Sequence, residues 1–405
     1  MNSDSRLFVN ARLALPGKVA GQGGVLVSGG KFEAIYTDDA WKTECLGVPV
    51  TDLEGKYLVP GFVDVHIHGG GGFDLMSGDP SGVDEICRYH ASRGTTSLLA
   101  TTRTESQEAI ERGIQGIVQA MKRGTPGAEV LGIHLEGPFL NPKRCGAQNP
   151  ELIRQGTIEE FERYFQLSEQ SLRLITVAPE QEGMQTFIRH VTGLGTVVSI
   201  GHSDADYETV AAAIAAGASH ITHTFNGMSP LHHREPGVAG AAMMRDELAA
   251  ELICDGLHVH PEVVKFMFRV KPREQIIAVT DCVLPAGCPD GEFGSGRRTI
   301  VKKGNTIYLQ RENGEPGSLA GSTLDMNTAL INLMRFTGLP LHEVLPALTI
   351  NPARQAKEDH RKGSIEPGKD ADFLILSDDF LVESTFVRGH RVYGSEEKFN
   401  RSSEG

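Results

Sequence analysis

Between residues 62 and 281, short and mostly apolar runs recur eight times, each followed by a longer stretch of helical character. No other feature of the chain constrains its fold as much. The runs are FVDVHIH (62–68), TTSLLATT (95–102), VLGIHLEG (130–137), LRLITVAP (172–179), TVVSIGH (196–202), HITHTFN (220–226), AELICDGLH (250–258) and IIAVTD (276–281). Parallel strands buried on both faces read as near-continuous apolar runs, and the intervals supply the helices that cover them. In DADYETVAAAIAAG, for example, Asp204 or Asp206 caps the start of a helix and Gly217 ends it. Eight such units predict a (β/α)8 barrel, an α/β fold that takes roughly 250 residues.

The rest of the 405 residues lies at the two ends. Residues 7–58 offer short alternating apolar stretches separated by Gly, and the same texture returns only after Gly363. The expected organisation is a small β-sandwich domain made from 1–58 and 363–405, interrupted by a barrel over 59–362. The 47 glycines exceed the roughly 7% average and fit a fold with many tight turns, some at site loops such as 69–72.

Several of the eight runs finish at a polar residue capable of chemistry: His66 and His68, then Glu136, His202, His223 and Asp281. In a barrel the C-terminal strand ends meet on one face, where the active site lies. His66 and His68 are two residues apart, so on a strand both imidazoles point to the same side, a spacing that suits two nitrogens on one metal. An isolated pair would be weak evidence. The convergence of four His and carboxylates at one face makes a metal centre the reading of choice.

Charge sets what else the protein can meet. Lys and Arg number 39 against 52 Asp and Glu, a net of −13, which argues against nucleic acid or an anionic membrane as partner. The N-terminal stretch has no apolar run of signal-peptide length and nowhere do 18 apolar residues run together, so the cytoplasm is the expected compartment. Six cysteines without a CxxC pair indicate neither a disulfide framework nor a thiolate zinc site. Cys254, Cys282 and Cys288, near the expected mouth of the site, have no base spaced to activate them and read as packing residues.

The strings PGFVDVHIHGGGG (60–72), GIHLEGPFLNPKRCGAQNP (132–150), SIGHSDA (199–205), THTFNGMSPLHHREPG (222–237), ICDGLHVHP (253–261), VTDCVLPAG (279–287) and GSLAGSTLDM (317–326) span nearly the whole chain. In this order they resemble the amidohydrolase superfamily and, within it, the N-acetylglucosamine-6-phosphate deacetylases. HLEGPF and HHREPG together are specific, whereas HxH and GHS are widely shared. The resemblance implies a hydrolase of linear amides that removes acetate from the 2-acetamido group of a sugar 6-phosphate, a step of amino-sugar breakdown or cell-wall recycling. By motif, Glu136, His202 and His223 match metal ligands retained throughout this family, and His66 and His68 match a pair that only some members keep. Their presence allows a second ion, with Glu136 bridging and Asp281 adjoining. No Lys falls in the fourth run, so the carbamylated lysine of other branches is absent. One or two divalent ions per subunit are expected, and imidazole with carboxylate suits zinc, iron, manganese or cobalt.

An amide is a poor electrophile and its amine a poor leaving group, so the site must supply a strong nucleophile and a proton. A divalent cation lowers the pKa of bound water toward ~7 and polarises a carbonyl. Asp281 is the expected catalytic group, accepting a proton from the attacking water and delivering it to the departing nitrogen. His134 either supports the ligands from behind or packs in the core.

Since the overall charge repels a sugar phosphate, local cations must hold it. LHHREPG brings His232, His233 and Arg234 together, and Arg can grip phosphate bidentately. By resemblance, Arg234 reaches the substrate across a homodimer interface and His258 makes a second contact to the sugar phosphate. Asn226 and Gly227 match ligand-contacting positions, the latter often Ala in relatives. Ala147 and Gln148 match a pair that ends in His in some members, and Gln148 can hydrogen-bond but carries no imidazolium charge. Asp255 and Leu319, Ala320 and Gly321 of SLAG match ligand-lining segments. The nearest rival activity is deacetylation of N-acetylgalactosamine 6-phosphate. Cyclic-amide or deaminating amidohydrolases are disfavoured by the missing Lys, and a catalytically silent oligomeric binding protein by the intact ligand set.

Overall fold

The computed structural model describes residues 5–394 apart from 297 and 312. The end of the expected C-terminal segment, 395–405, lies outside the described residues.

All eight apolar runs form strands: Phe62–Ile67, Thr95–Thr101, Glu129–Glu136, Leu172–Val177, Val197–Ile200, His220–Ile221, Ala249–Ile253 and Ile276–Val279. They pair in parallel in chain order within one eight-stranded sheet. The ends of the path meet where Asp281 N–H donates to the His66 carbonyl at 2.9 Å and Ile67 bridges Cys282, so the sheet is a nearly closed barrel. Each strand is followed by a helix, beginning with Pro80–Ala91 and Gln107–Arg123 and ending with Met326–Thr337. On Gln107–Arg123 the buried Ile110, Ile114 and Ile117 recur at helical spacing and face the sheet, each contributing about 1.5–3 kcal/mol by leaving water. Asp206, not Asp204, caps the helix Tyr207–Ala216 by accepting from Thr209 N–H at 2.8 Å, and Gly217 ends it in the left-handed conformation.

The two chain ends share a second eight-stranded sheet. Tyr57–Pro60 pairs with Arg6–Leu15 on one side and with Phe373–Leu376 on the other, so the N- and C-terminal portions are hydrogen-bonded neighbours. The strand Arg6–Leu15 is irregular between Phe8 and Leu13, and its two halves take different partners, Val50–Asp52 and Tyr57–Pro60. The sheet-rich unit expected from the termini is thus one continuous sheet. Its core holds Phe8, Phe32, Phe373 and Phe386, with Phe373 and Phe386 stacked at 4.4 Å. The strand Tyr57–Pro60 crosses the border expected at residue 58.

One element had no counterpart in the expectations. Between the eighth barrel strand and its helix stands an antiparallel meander, Gly291–Ser295, Arg298–Lys303, Thr306–Gln310 and Pro316–Leu319. It buries Ile300, Ile307 and Leu309 beneath it, and it forms one wall of the cleft at the C-terminal face of the barrel.

Candidate active site

The six strand-end residues converge. Glu136 lies at the centre: its Oε1 is 3.2 Å from His202 Nε2 and 3.1 Å from His223 Nε2, and its Oε2 is 3.3 Å from His68 Nε2. Asp281 Oδ1 is 3.3 Å from His68 Nε2 and 3.6 Å from His66 Nε2. Three groups of potential ligands result among the described residues: Glu136 with His202 and His223, His66 with His68 and Asp281, and, using the same His66, His66 with His134 and Glu251. The Glu136 carboxylate faces the first two. His202, His223 and Asp281 all have positive φ, at 47°, 29° and 49°. Non-glycine residues adopt this region at a cost, and such strain gathers at functional sites where the surrounding fold enforces it.

Hydrogen bonds to the far ring nitrogens prepare two of the imidazoles as ligands. His202 Nδ1 faces the Arg144 carbonyl at 2.8 Å and His66 Nδ1 faces the Glu251 carboxylate at 2.9 Å. Both partners accept, so in the neutral rings each Nδ1 carries the proton and each Nε2 is left with the lone pair facing the centre. The Nε2 atoms of His202 and His223 stand only 3.0 Å apart, a spacing that takes either a shared proton or a cation facing both nitrogens. Burial alone disfavours charge on the rings, yet the carboxylates of Glu251, Glu136 and Asp281 raise His66 to about 10, and those of Asp281 and Glu136 raise His68 to about 9. The carboxylates demand cations here, and the buried N/O donor set fits a divalent metal ion. His134 is different. Its Nδ1 lies 3.2 Å from the Val65 carbonyl and its Nε2 2.7 Å from Thr176 Oγ1, so both nitrogens are occupied. Burial and the adjacent His66 hold it well below the ordinary imidazole range, and it supports the barrel interior as a neutral ring.

Above the cluster opens a cavity of about 370 Å³, a volume suited to a small ligand. Of the residues expected around substrate, Ala147, Gln148, Asn226, Gly227, His258, Leu319, Ala320 and Gly321 line it, together with His68, Glu136, His202, His223 and Asp281. A Cβ on Gly227 would lie 2.8 Å from His202 Nδ1, so glycine gives the His202 ring its space. Gln148 Nε2 donates to Glu136 Oε2, while its Oε1 accepts from Thr104 N–H at 2.8 Å. The meander fixes this loop from above, because Arg298 donates to the carbonyls of Ala147 and Gln148 at 3.0 and 3.1 Å.

Two expected contacts are placed elsewhere. Asp255 is not a wall of the cavity but holds His258, with Oδ2 2.7 Å from Nδ1, and its Oδ1 accepts from the backbone N–H of Leu257 and of His258 at 2.8 Å. Burial works against charge on His258, and the Asp255 carboxylate more than offsets it, so the ring titrates above its ordinary value. Arg234 is exposed on the loop after the sixth strand and does not reach its own chain's cavity. Two charged residues that line the cavity were not anticipated, Arg103 and Asp74, paired at 2.6 Å. Arg103 falls just past the second strand, Thr95–Thr101, a position equivalent to those of the clustered strand-end residues. The buried Glu251 was also missed, although a carboxylate inside the apolar run AELICDGLH was a visible signal.

Residues 57–392 match the sequence model of the amidohydrolase family, and the chain belongs to that family. The fold and the cluster together define a metal-dependent hydrolase on a (β/α)8 barrel. Among curated relatives, the N-acetylglucosamine-6-phosphate deacetylase of Bacillus subtilis is 36% identical over 398 residues, covering 98% of this chain and 99% of its own. The N-acetylgalactosamine-6-phosphate deacetylase of Escherichia coli O157:H7 is 36% identical over 346 residues, 85% of this chain and 90% of its own. A solved structure of the N-acetyl-D-glucosamine-6-phosphate deacetylase of Mycobacterium smegmatis, a mutant in complex with N-acetyl-D-glucosamine-6-phosphate, superposes with a TM-score of 0.89 at 28% identity, covering 96% of this chain and all of that one.

Proposed function

We propose that this chain hydrolyses N-acetyl-D-glucosamine 6-phosphate to D-glucosamine 6-phosphate and acetate. The observation that carries the reading is the convergence of His66, His68, Glu136, His202, His223 and Asp281 at the floor of a cleft whose walls carry Asn226, Gly227 and His258. One divalent ion would be held by Glu136, His202 and His223 and a second by His66, His68 and Asp281; zinc, iron, manganese and cobalt all suit these donors. Such ions supply Lewis acidity, activating water and polarising the acetyl carbonyl.

The chain's own residues do the rest. Asp281, open to the cavity, takes the proton of the attacking water and returns it to the amine nitrogen as the C–N bond breaks. Gln148 keeps the Glu136 carboxylate oriented, and Asn226 and Gly227 contact the sugar. His258, whose pKa Asp255 helps to raise, donates to the phosphate. Arg234 completes phosphate binding from the partner of a homodimer. Two observations support that assembly: Arg234 does not line its own cavity, and the exposed Leu231 and Met244 both lie near Gly240, forming an apolar patch beside the same loop. The chain then divides into a terminal sheet domain and the barrel, and it works as a cytoplasmic enzyme. Among the described residues no helix is long and apolar enough to cross a membrane.

Acetate release from N-acetylglucosamine 6-phosphate, measured before and after chelation and again after metal is restored, tests this reading. Turnover is expected to vanish and return. Turnover unaffected by complete metal removal would overturn it.

A further inference from the structure

The carboxylate of Glu251 is fully buried in the middle of the seventh barrel strand, Ala249–Ile253, a place where an unpaired charge would be severely destabilising. It contacts neither the cavity nor any solvent. Instead it gathers three donors: His66 Nδ1 at 2.9 Å and the His223 backbone N–H at 2.9 Å, both on Oε2, and His220 Nε2 at 2.9 Å on Oε1. His220 is in turn 3.1 Å from the side chain of Gln355. One carboxylate therefore touches a ligand side chain of one metal group and the backbone of a ligand in the other.

Its grip on the two groups is unequal. His66 depends on Glu251 for both its tautomer and its ring orientation, since Glu251 is the partner of its outward nitrogen. In the other group the His202 ring is fixed by the Arg144 carbonyl, and Glu251 meets His223 only through the main chain. The negative charge also lies directly behind the His66 ring, where it strengthens the ring as a donor to a cation.

We propose that Glu251 is a positioning residue that makes the His66, His68 and Asp281 group competent to hold its metal ion, while the Glu136, His202 and His223 group holds its ion without it. This rests on the two-ion reading given above. Glu251 takes no part in bond making; it sets the second ion's affinity.

Glu251→Gln tests the idea with little disturbance of shape. The amide oxygen can still accept from His66 Nδ1–H and from the His223 N–H, and the amide N–H can face a His220 ring of the other tautomer, so packing is kept and the charge is lost. Wild-type and variant enzymes loaded with Zn2+ are dialysed against graded chelator, and zinc per chain is measured. Wild type is expected to release its two ions in two steps. In Glu251→Gln one step moves to about 10–100-fold weaker chelation and the other stays in place. The melting temperature of the one-ion form, expected to be the same in both proteins, separates this from general unfolding. Two unchanged steps in the variant, or both steps weakened together, would overturn the role of Glu251 alone. A wild type that never holds more than one ion would instead overturn the two-ion reading and the proposal with it.

Discussion

Replacing Asp255 with Asn isolates the charge on His258. In the wild type Asp255 Oδ2 lies 2.7 Å from His258 Nδ1 and raises the ring's pKa against the effect of burial. Asn keeps the Oδ1 that accepts from the backbone of Leu257 and His258, so the turn survives. Its amide donates to Nδ1, leaving a neutral ring whose Nε2–H still reaches into the cleft. Burial is then opposed only by the more distant charge of Asp281, so the ring's pKa falls from its raised wild-type position. Hydrogen bonds to charged groups contribute about 1.5–3 kcal/mol against about 0.5–1.5 for neutral ones, so the variant loses about 1–1.5 kcal/mol of phosphate binding near neutrality. KM for N-acetylglucosamine 6-phosphate at pH 7 should therefore rise about 5- to 13-fold. The sign follows from the titration: a raised pKa keeps the wild-type ring charged to higher pH. The two enzymes should converge in acid, where both rings are protonated, and part between the variant's pKa and that of the wild type. Steady-state KM from pH 5.5 to 9, with unphosphorylated N-acetylglucosamine as control, reads the effect. An equal rise for both sugars, or superimposable profiles, would refute the assignment of His258 to phosphate.

Other perturbations have equally specific outcomes. Asp281→Asn should lower kcat by about 10²–10⁴ while metal at the Glu136 group is retained; unchanged turnover would remove Asp281 from the proton path. Arg234→Ala should raise KM for the phosphorylated sugar about 10- to 100-fold and leave the unphosphorylated one nearly unaffected. If Arg234 serves the partner's cleft, mixing Arg234→Ala chains with Asp281→Asn chains should restore about a quarter of wild-type sites by random pairing, and no restoration would count against the shared site. Lys362, with a side chain 1% exposed, reaches Asp372 at 2.6 Å and Glu129 at 2.7 Å between the barrel and the terminal sheet. Breaking such a buried group typically costs about 3–5 kcal/mol, so Lys362→Met should lower Tm by about 4–6 °C at an unfolding entropy near 2.1 cal/mol/K per residue. Burial already raises the Asp372 pKa, and without Lys362 the penalty should shrink as pH falls and that carboxyl takes up a proton. A pH-independent loss would point to packing alone.

The barrel was legible because its signal is local: eight apolar runs, each long enough for a strand, with helical spacing between them. The cluster was legible for the same reason, since His66, His68, Glu136, His202, His223 and Asp281 fall at corresponding strand ends. What escaped depends on contacts between distant parts of the chain. Glu251 and His66 are 185 residues apart, and no periodicity shows that a buried carboxylate will meet that ring. Asp255 and His258 are neighbours in sequence, yet which of them faces the ligand is decided by the turn that binds Oδ1 to two N–H groups. The meander over 291–319 was hidden by its half-polar strands: Arg298–Lys303 buries only Ile300 firmly, because it covers a cleft and does not enter the core.

The proposed reaction assigns hydrolysis of the acetamido bond of one sugar phosphate to one cluster of strand-end residues. Its most direct test is acetate release from N-acetylglucosamine 6-phosphate and N-acetylgalactosamine 6-phosphate side by side, with metal analysis on the same sample. Turnover of the gluco epimer with the higher kcat/KM is expected, from protein carrying two ions per chain. Release from neither sugar by fully loaded protein would contradict it, and preference for the galacto epimer would transfer the reaction to the other substrate.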